Sequence, residues 1–403
     1  MRSAIDPQRK PAEALSGKMY EQFCPFLGRP VISAMIEVVG ALLLFAGSTR
    51  GWYGRLTLWG IARCMATRGK IRSRYKRLDR LLCNGRFVLS QAIQGLIVFS
   101  GAKQATGLLP VLLDQTSLNQ DQVQAIVASF PWGNRGVPFA MTAFEIEKLA
   151  QSQNDIEWSF MERILRWFGQ SVAICLVMDR GYAKLIHLKK LLEQDAFFIV
   201  RGRGDVTVEY SGRDGHRRIG LGRLPHRQGI ALRYHNVLYH ASQSIRVDIV
   251  VYHGKGFQEP WFLIVPPQSE GILSNDQVVE YYRFRMRIEV TFRDFKSCLG
   301  LRGLRLKVNR AEKMERILIC LALAYIVMIT MGETQEGRFI RKRIEVRRKK
   351  PRHGTRRTLS VLSIALFVMG ELFTTLFQNA VALIADLMNN WSAGVFSPCL
   401  VTT

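Results

Sequence analysis

Acidic residues are in short supply. Across 403 residues, 32 Asp and Glu face 57 Lys and Arg, which leaves a net charge of +25 and a pI near 10.2. Such an excess points to a polyanionic partner, either nucleic acid or an anionic membrane surface. Ordered cysteine spacing is also missing. The seven cysteines (24, 64, 83, 175, 298, 320 and 399) are odd in number, scattered and free of any Cys-x-x-Cys pair. This argues against a disulfide frame or a zinc site and fits a reducing compartment. The histidines are equally dispersed, and none stands out as a metal ligand. Long uninterrupted apolar runs are absent too. Val31 to Gly47 is broken by Glu37, and Ile317 to Met331 falls short of the roughly 20 residues a bilayer requires; both read as buried helices. Met1 to Ser16 is polar and interrupted by proline, unlike a signal peptide. No membrane partner is expected, and the location read from these features is cytoplasmic. There are no internal repeats and no long low-complexity tract.

What is there divides by texture. A chain of this length can bury at least one large core and holds two to four modules. Residues 1–105 look helical and basic. Leu56 to Ala66 has helical apolar spacing, Thr67-Arg68-Gly69 offers a turn, and Lys70 to Leu82 resumes a helix. Between Arg50 and Arg86 there are eleven Lys/Arg against one acid, Asp79. This is compatible with a helix-turn-helix on duplex DNA, or with a solvated helical hairpin. From Leu108 the pattern becomes α/β: strands end on Asp114, cover Val123 to Ser129 and Pro138 to Phe144, and a helix spans Asp155 to Phe168. A second apolar strand ends on Asp179, a helix covers Ala183 to Leu192, and Ala196 to Val200 is again a strand. Residues 202–265 read as antiparallel strands with turns such as Arg213-Asp214-Gly215, inserted into the α/β unit. Residues 266–335 return to helix. Arg338 to Arg357 holds eleven Lys/Arg with the single acid Glu345, a basic linker of the solvated, flexible kind. Thr358 to Met388 is a last amphipathic helical segment within residues 336–403.

One stretch organises the rest: Tyr282 to Lys296, within a helix expected over Asn275 to Leu299. At about 100° per residue, Tyr282, Arg285, Glu289 and Lys296 share a stripe only about 60° wide. Phe284, Ile288, Phe292, Phe295 and Leu299 form an apolar stripe beside it. One flank can pack on a core while the next presents a carboxylate ringed by phosphate-binding groups. The plainer alternative is a basic amphipathic surface helix. Asp114 and Asp179 supply company for Glu289. An Asp after a strand is often a turn former or helix N-cap. Adjacent parallel strands, however, can bring two such carboxylates together, and a helix across that edge can add a third. Three hard oxygen donors without His or Cys suit Mg²⁺ or Mn²⁺, and a pair of such ions serves phosphodiester displacement.

Asp114, the Val177-Met178-Asp179-Arg180-Gly181-Tyr182 sequence, and Tyr282-x2-Arg285-x3-Glu289-x6-Lys296 resemble the DDE transposases of bacterial insertion sequences, and more narrowly their insertion-sequence-four family. The resemblance spans about residues 105–335. It implies a ribonuclease-H-like core (106–201 and 266–335) interrupted by an antiparallel β insertion (202–265), with helical N- and C-terminal regions. It implies dependence on Mg²⁺ or Mn²⁺, two ions held by Asp114, Asp179 and Glu289. Tyr282, Arg285 and Lys296 would contact phosphates near the terminal nucleotides of the transferred strand. Trp261 would stack on a base flipped from the duplex, its alternative being core packing. The implied activity is cut-and-paste movement of a DNA element, through a hairpin, by a homodimer holding two ends of double-stranded DNA. The rivals are a nuclease of the same core without strand transfer and a catalytically silent DNA-binding regulator.

Overall fold

The computed structural model describes residues 9–48, 55–67, 69–169, 171–212, 215–240, 245–352 and 354–371. The N-terminal region is helical, as its periodicity indicates: α1 (Arg9–Phe23), α2 (Arg29–Ser48), α3 (Leu58–Cys64), α4 (Ile71–Leu82) and α5 (Leu89–Phe99). Thr57 caps α3 by accepting the Gly60 N–H, satisfying one of the orphan donors of a helix start. Gly69, at φ +129, turns the chain into α4. Of the turn read at 67–69, Arg68 lies outside the described residues.

The sheet follows. Strands β1 (Leu109–Leu118), β2 (Val123–Trp132) and β3 (Arg135–Phe144) form an antiparallel meander. Then α6 (Gln153–Phe168) leads to β4 (Ile174–Met178), and α7 (Leu185–Glu193) to β5 (Phe197–Arg201). β4 lies parallel to both β1 and β5. Every residue of β3 and β4 is buried, which explains why these strands read as continuous apolar runs without alternation. Phe168 of α6 meets Phe139 of β3 edge-on at 5.5 Å.

Strands β6 (Thr207–Gly212), β7 (Gly215–Gly220), β8 (Ala231–Tyr239), β9 (Ile245–Tyr252) and β10 (Trp261–Val265) come next. They belong to the same sheet as the five strands before them. β10 pairs antiparallel with β5, so all ten strands make one sheet in the order β3-β2-β1-β4-β5-β10-β9-β8-β6-β7. The physical reason is an edge: β5 has an open side, and β10 satisfies its unpaired backbone groups. Residues 213 and 214 of the turn read at 213–215 lie outside the described residues.

The helix that organises the sequence starts at a capping box, in which Ser274 and Gln277 exchange side-chain and backbone hydrogen bonds. It runs as α8 (Asn275–Phe284) and α9 (Met286–Arg293), joined through Arg285 in helical conformation (φ −52, ψ −38). It does not continue as an α-helix to Leu299. Asp294–Cys298 is a π-helical turn, wound one residue wider where Asp294 turns inward to Arg135 and Tyr325. Next come α10 (Arg310–Glu333), α11 (Gln335–Ile344) and α12 (Val361–Glu371). The basic stretch read as a linker is thus helical in its first part, where Thr334 caps α11 and Ile340 is buried. The helical segment expected to reach Met388 is described only to Glu371.

α2 and α10 are each long and apolar enough to cross a membrane. α10 is a core helix, with 89% of its apolar span buried against β3, α2, α5, α11 and α12. α2 has one side packed on α1, α3, α4, α10 and α12. One contiguous cluster of buried residues runs from Leu15 to Met369, so the N-terminal helices and the sheet share a core. Ion pairs tie the basic hairpin to it: Arg77 of α4 to Glu37 of α2 at 2.6 Å, and Asp79 of α4 to Lys313 of α10 at 2.7 Å.

Candidate active site

Leu113 of β1 stands opposite Met178 of β4 as the last parallel pair, and Asp114 and Asp179 are the residues that follow it in sequence. β4 ends there, but β1 continues paired with β2 to Leu118. Asp114 therefore does not end a strand, as its apolar run implied; it ends only the parallel pairing. Its Oδ1 accepts the Gln115 N–H at 2.8 Å. Asp179 does act as a turn former, accepting the Gly181 N–H at 2.8 Å and capping the 3₁₀ turn Arg180–Tyr182. That role occupies one carboxylate oxygen and keeps the group at the strand end.

Glu289 comes from α9, one turn beyond Arg285. The Arg285 guanidinium binds Asp114 Oδ2 at 3.1 Å and also holds Glu289 Oε1, so a single cation spans the first and third acids. Asp114 is 16% exposed and Glu289 43%. Burial pushes the Asp114 carboxyl up to about 6; Arg285 and the Gln115 N–H pull it down, and Asp179 and Glu289 push it up again. Among the described residues, no three His, Cys, Asp or Glu side chains are grouped around a single ion position, and Arg285 binds two of the acids. The donor set nevertheless fits a hard divalent cation: only carboxylate oxygens, in a half-buried place with more negative charge than it accommodates easily.

α9 is held against the sheet by close contacts. Thr291 Oγ1 accepts the Gly136 N–H at 3.0 Å and donates to the Gly136 carbonyl at 2.8 Å. Gly136 has to be small, because an added Cβ would stand 2.6 Å from Ser129 Oγ and 3.5 Å from the Ile288 Cα. Further along, the buried Asp294 carboxylate takes Arg135 at 2.7 Å and the Tyr325 hydroxyl at 2.9 Å. These contacts set the azimuth of Glu289.

The other residues singled out by the sequence gather here, though not all on the surface. Tyr282 is buried, 4% exposed, so the stripe is less open than its spacing implied. Burial raises the phenol's pKa, while Arg285 and Arg201 lower it. Trp261, half-buried at the start of β10, packs edge-on to Tyr282 at 4.8 Å and on Phe257 at 4.7 Å. Lys296, on the π turn, is lowered by burial and by Arg302 and raised by Asp121 and Asp114.

Glu157 was not anticipated. It is 2% exposed and accepts Lys184 Nζ at 2.7 Å, Gln115 Nε2 at 2.8 Å and Gln153 Nε2 at 2.8 Å. Through Gln115 this network reaches the backbone beside Asp114. Beside it lies the buried Tyr182 phenol, kept protonated by burial first and then by the charges of Glu157 and Asp114. The signal was in the sequence: Glu157 precedes Met161 and Ile164 by four and seven residues, a carboxylate set in an apolar helical stripe.

Residues 152–327 match the protein family described as Transposase DDE domain. The matched stretch is less than half of the chain; it includes Asp179 and Glu289 and begins after Asp114. The match supports a DDE transposase, a class of DNA-cleaving enzymes that generally uses divalent metal ions. No curated protein matches the chain.

Proposed function

We propose that this protein is a DNA transposase that cleaves the ends of an insertion sequence and joins them to target DNA. The observation that supports the reading is the proximity of three carboxylates: Asp114 and Asp179 each follow the last parallel pair of β1 and β4, Leu113 and Met178, and Arg285 binds both Asp114 and Glu289. Strand order β3-β2-β1-β4-β5, with α6 and α7 as connections, supports a ribonuclease-H-like core, and the five further strands take the place of the β insertion. Asp114, Asp179 and Glu289 would hold Mg²⁺ or Mn²⁺, which supply Lewis-acid stabilisation to the reacting phosphodiester. Arg285 and Lys296 would bind phosphate oxygens beside the scissile bond, the guanidinium in bidentate fashion. Tyr282, expected as a third phosphate contact, is buried and packs edge-on against Trp261, so its part would be to support Arg285. Trp261 keeps two readings, stacking on an extruded base or packing within the aromatic cluster. On the first, Trp261→Ala slows hairpin formation selectively; an unchanged hairpin rate assigns it to packing. The same proposal has two copies of the chain holding paired DNA ends in the cytoplasm.

The test is a cleavage and joining assay with Mg²⁺, a duplex carrying the repeats that border the coding sequence, and a target plasmid. Asp114→Asn, Asp179→Asn and Glu289→Gln are each expected to abolish cleavage while retaining duplex binding. Cutting without joining by the unaltered protein would favour a nuclease, and specific binding without cutting a regulator. Retained nicking in any of the three variants would remove that residue from the site.

A further inference from the structure

Beyond the π turn the chain runs Leu301-Arg302-Gly303-Leu304-Arg305-Leu306-Lys307. Leu301, Leu304 and Leu306 are buried, while Arg302, Arg305 and Lys307 are exposed. The segment is a strip with one edge set into the core and the other edge made of cations. Among the described residues no acid forms an ion pair with any of the three cations. Arg305 instead donates to the carbonyls of Arg302 and Leu304, at 2.6 and 2.9 Å, which fixes its stem.

Two clasps hold the strip. At one end the Gly300 carbonyl accepts the Leu56 N–H at 2.9 Å. Gly303 there lies so close to Arg55 that an added Cβ would stand 2.5 Å from its Cβ and 2.7 Å from its Cα. The entry to the α3–α4 hairpin is therefore packed directly on the strip. At the other end the buried Asn119 pairs with Leu306 in both directions: its Nδ2 donates to the carbonyl at 3.1 Å and its Oδ1 accepts the N–H at 2.7 Å. Asn119, Gln120 and Asp121 form the β1–β2 turn with φ of +50, +57 and +64. Three successive non-glycine residues in left-handed conformation are rare, and here the turn aims Asn119 at the strip.

We propose that residues 300–307 are a rail for the phosphates of duplex DNA, connecting the basic α3–α4 hairpin to the carboxylate cluster. Cations already fixed by a rigid backbone lose little freedom on binding, which suits them to a stiff polyanion. Arg302 lies at the hairpin end of the rail, beside Gly303 and Arg55, and Lys296, which interacts with both Arg302 and Asp114, links that end to the carboxylates. The proposal rests on the transposase reading for its ligand and adds the path that ligand takes.

The experiment measures the affinity of the full-length protein for a random-sequence duplex as a function of salt. Each phosphate contact contributes a slope of about −0.9 to the log–log plot. The triple variant R302Q/R305Q/K307Q should flatten that slope by about 2.7, and each single variant by about 0.9, with the melting temperature unchanged. The equally charged R338Q/K342Q/R343Q, on the exposed face of α11, is the comparison and should flatten it less. Asn119→Ala, which keeps every cation, should weaken duplex binding several-fold. Should the triple variant misfold, the single variants carry the measurement. An unchanged slope in the rail variants, or equal flattening in the α11 variant, overturns the rail and leaves cleavage by the unaltered protein intact. Absence of duplex binding by the unaltered protein overturns both readings, and cleavage would then be absent as well.

Discussion

Asp114→Asn should make the metal-free protein more stable while removing its activity. In the fold the Asp114 carboxyl is pushed up to about 6 from an ordinary 3.8. The difference corresponds to about 3 kcal/mol between the two protonation states. At pH 8 the group is ionised in both folded and unfolded chains, so the fold carries that full cost. As the pH falls through 6 the folded carboxyl takes up its proton and the cost shrinks. Below about 3.8 both states are protonated and it is gone. Asparagine keeps the side chain's shape and is neutral at every pH. The variant should therefore exceed the parent by up to about 3 kcal/mol at pH 8, with the advantage fading below pH 6 and absent near pH 4.

For 403 residues, an unfolding entropy of about 2.1 cal/mol/K per residue gives about 0.85 kcal/mol/K, so the gain appears as roughly 3 to 4 °C in melting temperature. Thermal unfolding in chelator across this pH range is the assay. A second arm adds Mg²⁺. A cation at a hundredfold its dissociation constant adds about 2.7 kcal/mol to the unaltered protein, and the variant should gain far less. Equal stability of the two proteins at pH 8, or a gain that does not change with pH, would refute the account of Asp114 as a charge held at a cost.

Three further outcomes follow from the supports of the same site. Asp294→Ala leaves Arg135 buried without its partner and should destabilise the protein by about 3–5 kcal/mol in denaturant unfolding. Thr291→Val, nearly the same shape, strips both Gly136 backbone groups of a partner and should cost about 1–3 kcal/mol, with cleavage reduced more than stability because Glu289 is released with the helix. Gly303→Ala should cost about 1–3 kcal/mol through overpacking on Arg55, read as a lowered melting temperature; no change would mean that the hairpin entry yields freely.

The parts of the site legible in the sequence are those set by local period. Helical spacing alone brings Tyr282, Arg285 and Glu289 to one side, and an apolar run broken by an acid marks both Asp114 and Asp179. The parts that were not legible depend on distant partners. The π turn exists because Asp294 meets Arg135, 159 residues earlier in the chain, and no window over the helix contains that information. The union of all the strands into one sheet depends on β10 finding the edge of β5, a pairing that alternation within either strand cannot specify. Tyr282 was legible as part of the stripe but not as buried, because Trp261 and Phe257 arrive from the far side of the inserted strands. Glu157 could have been read, since an acid in an apolar stripe either has partners or is costly.

These supports also explain why a destabilised carboxylate can persist at the centre of the sheet. A buried acid beside two others would ordinarily relax by shifting its strand or helix, separating the charges. Here β1 is held by β4 up to Leu113 and by β2 from Leu112 onward, while α9 is fastened at Thr291 and Asp294. The remaining freedom lies in side chains, and in this structure Arg285 is the one that responds, by spanning Asp114 and Glu289. A guanidinium in that position balances charge without altering the backbone geometry. On the proposed reading, a divalent cation would take over that balancing role once the arginine turned aside. The rigidity of the surrounding core is thus what keeps the acids together against their mutual repulsion.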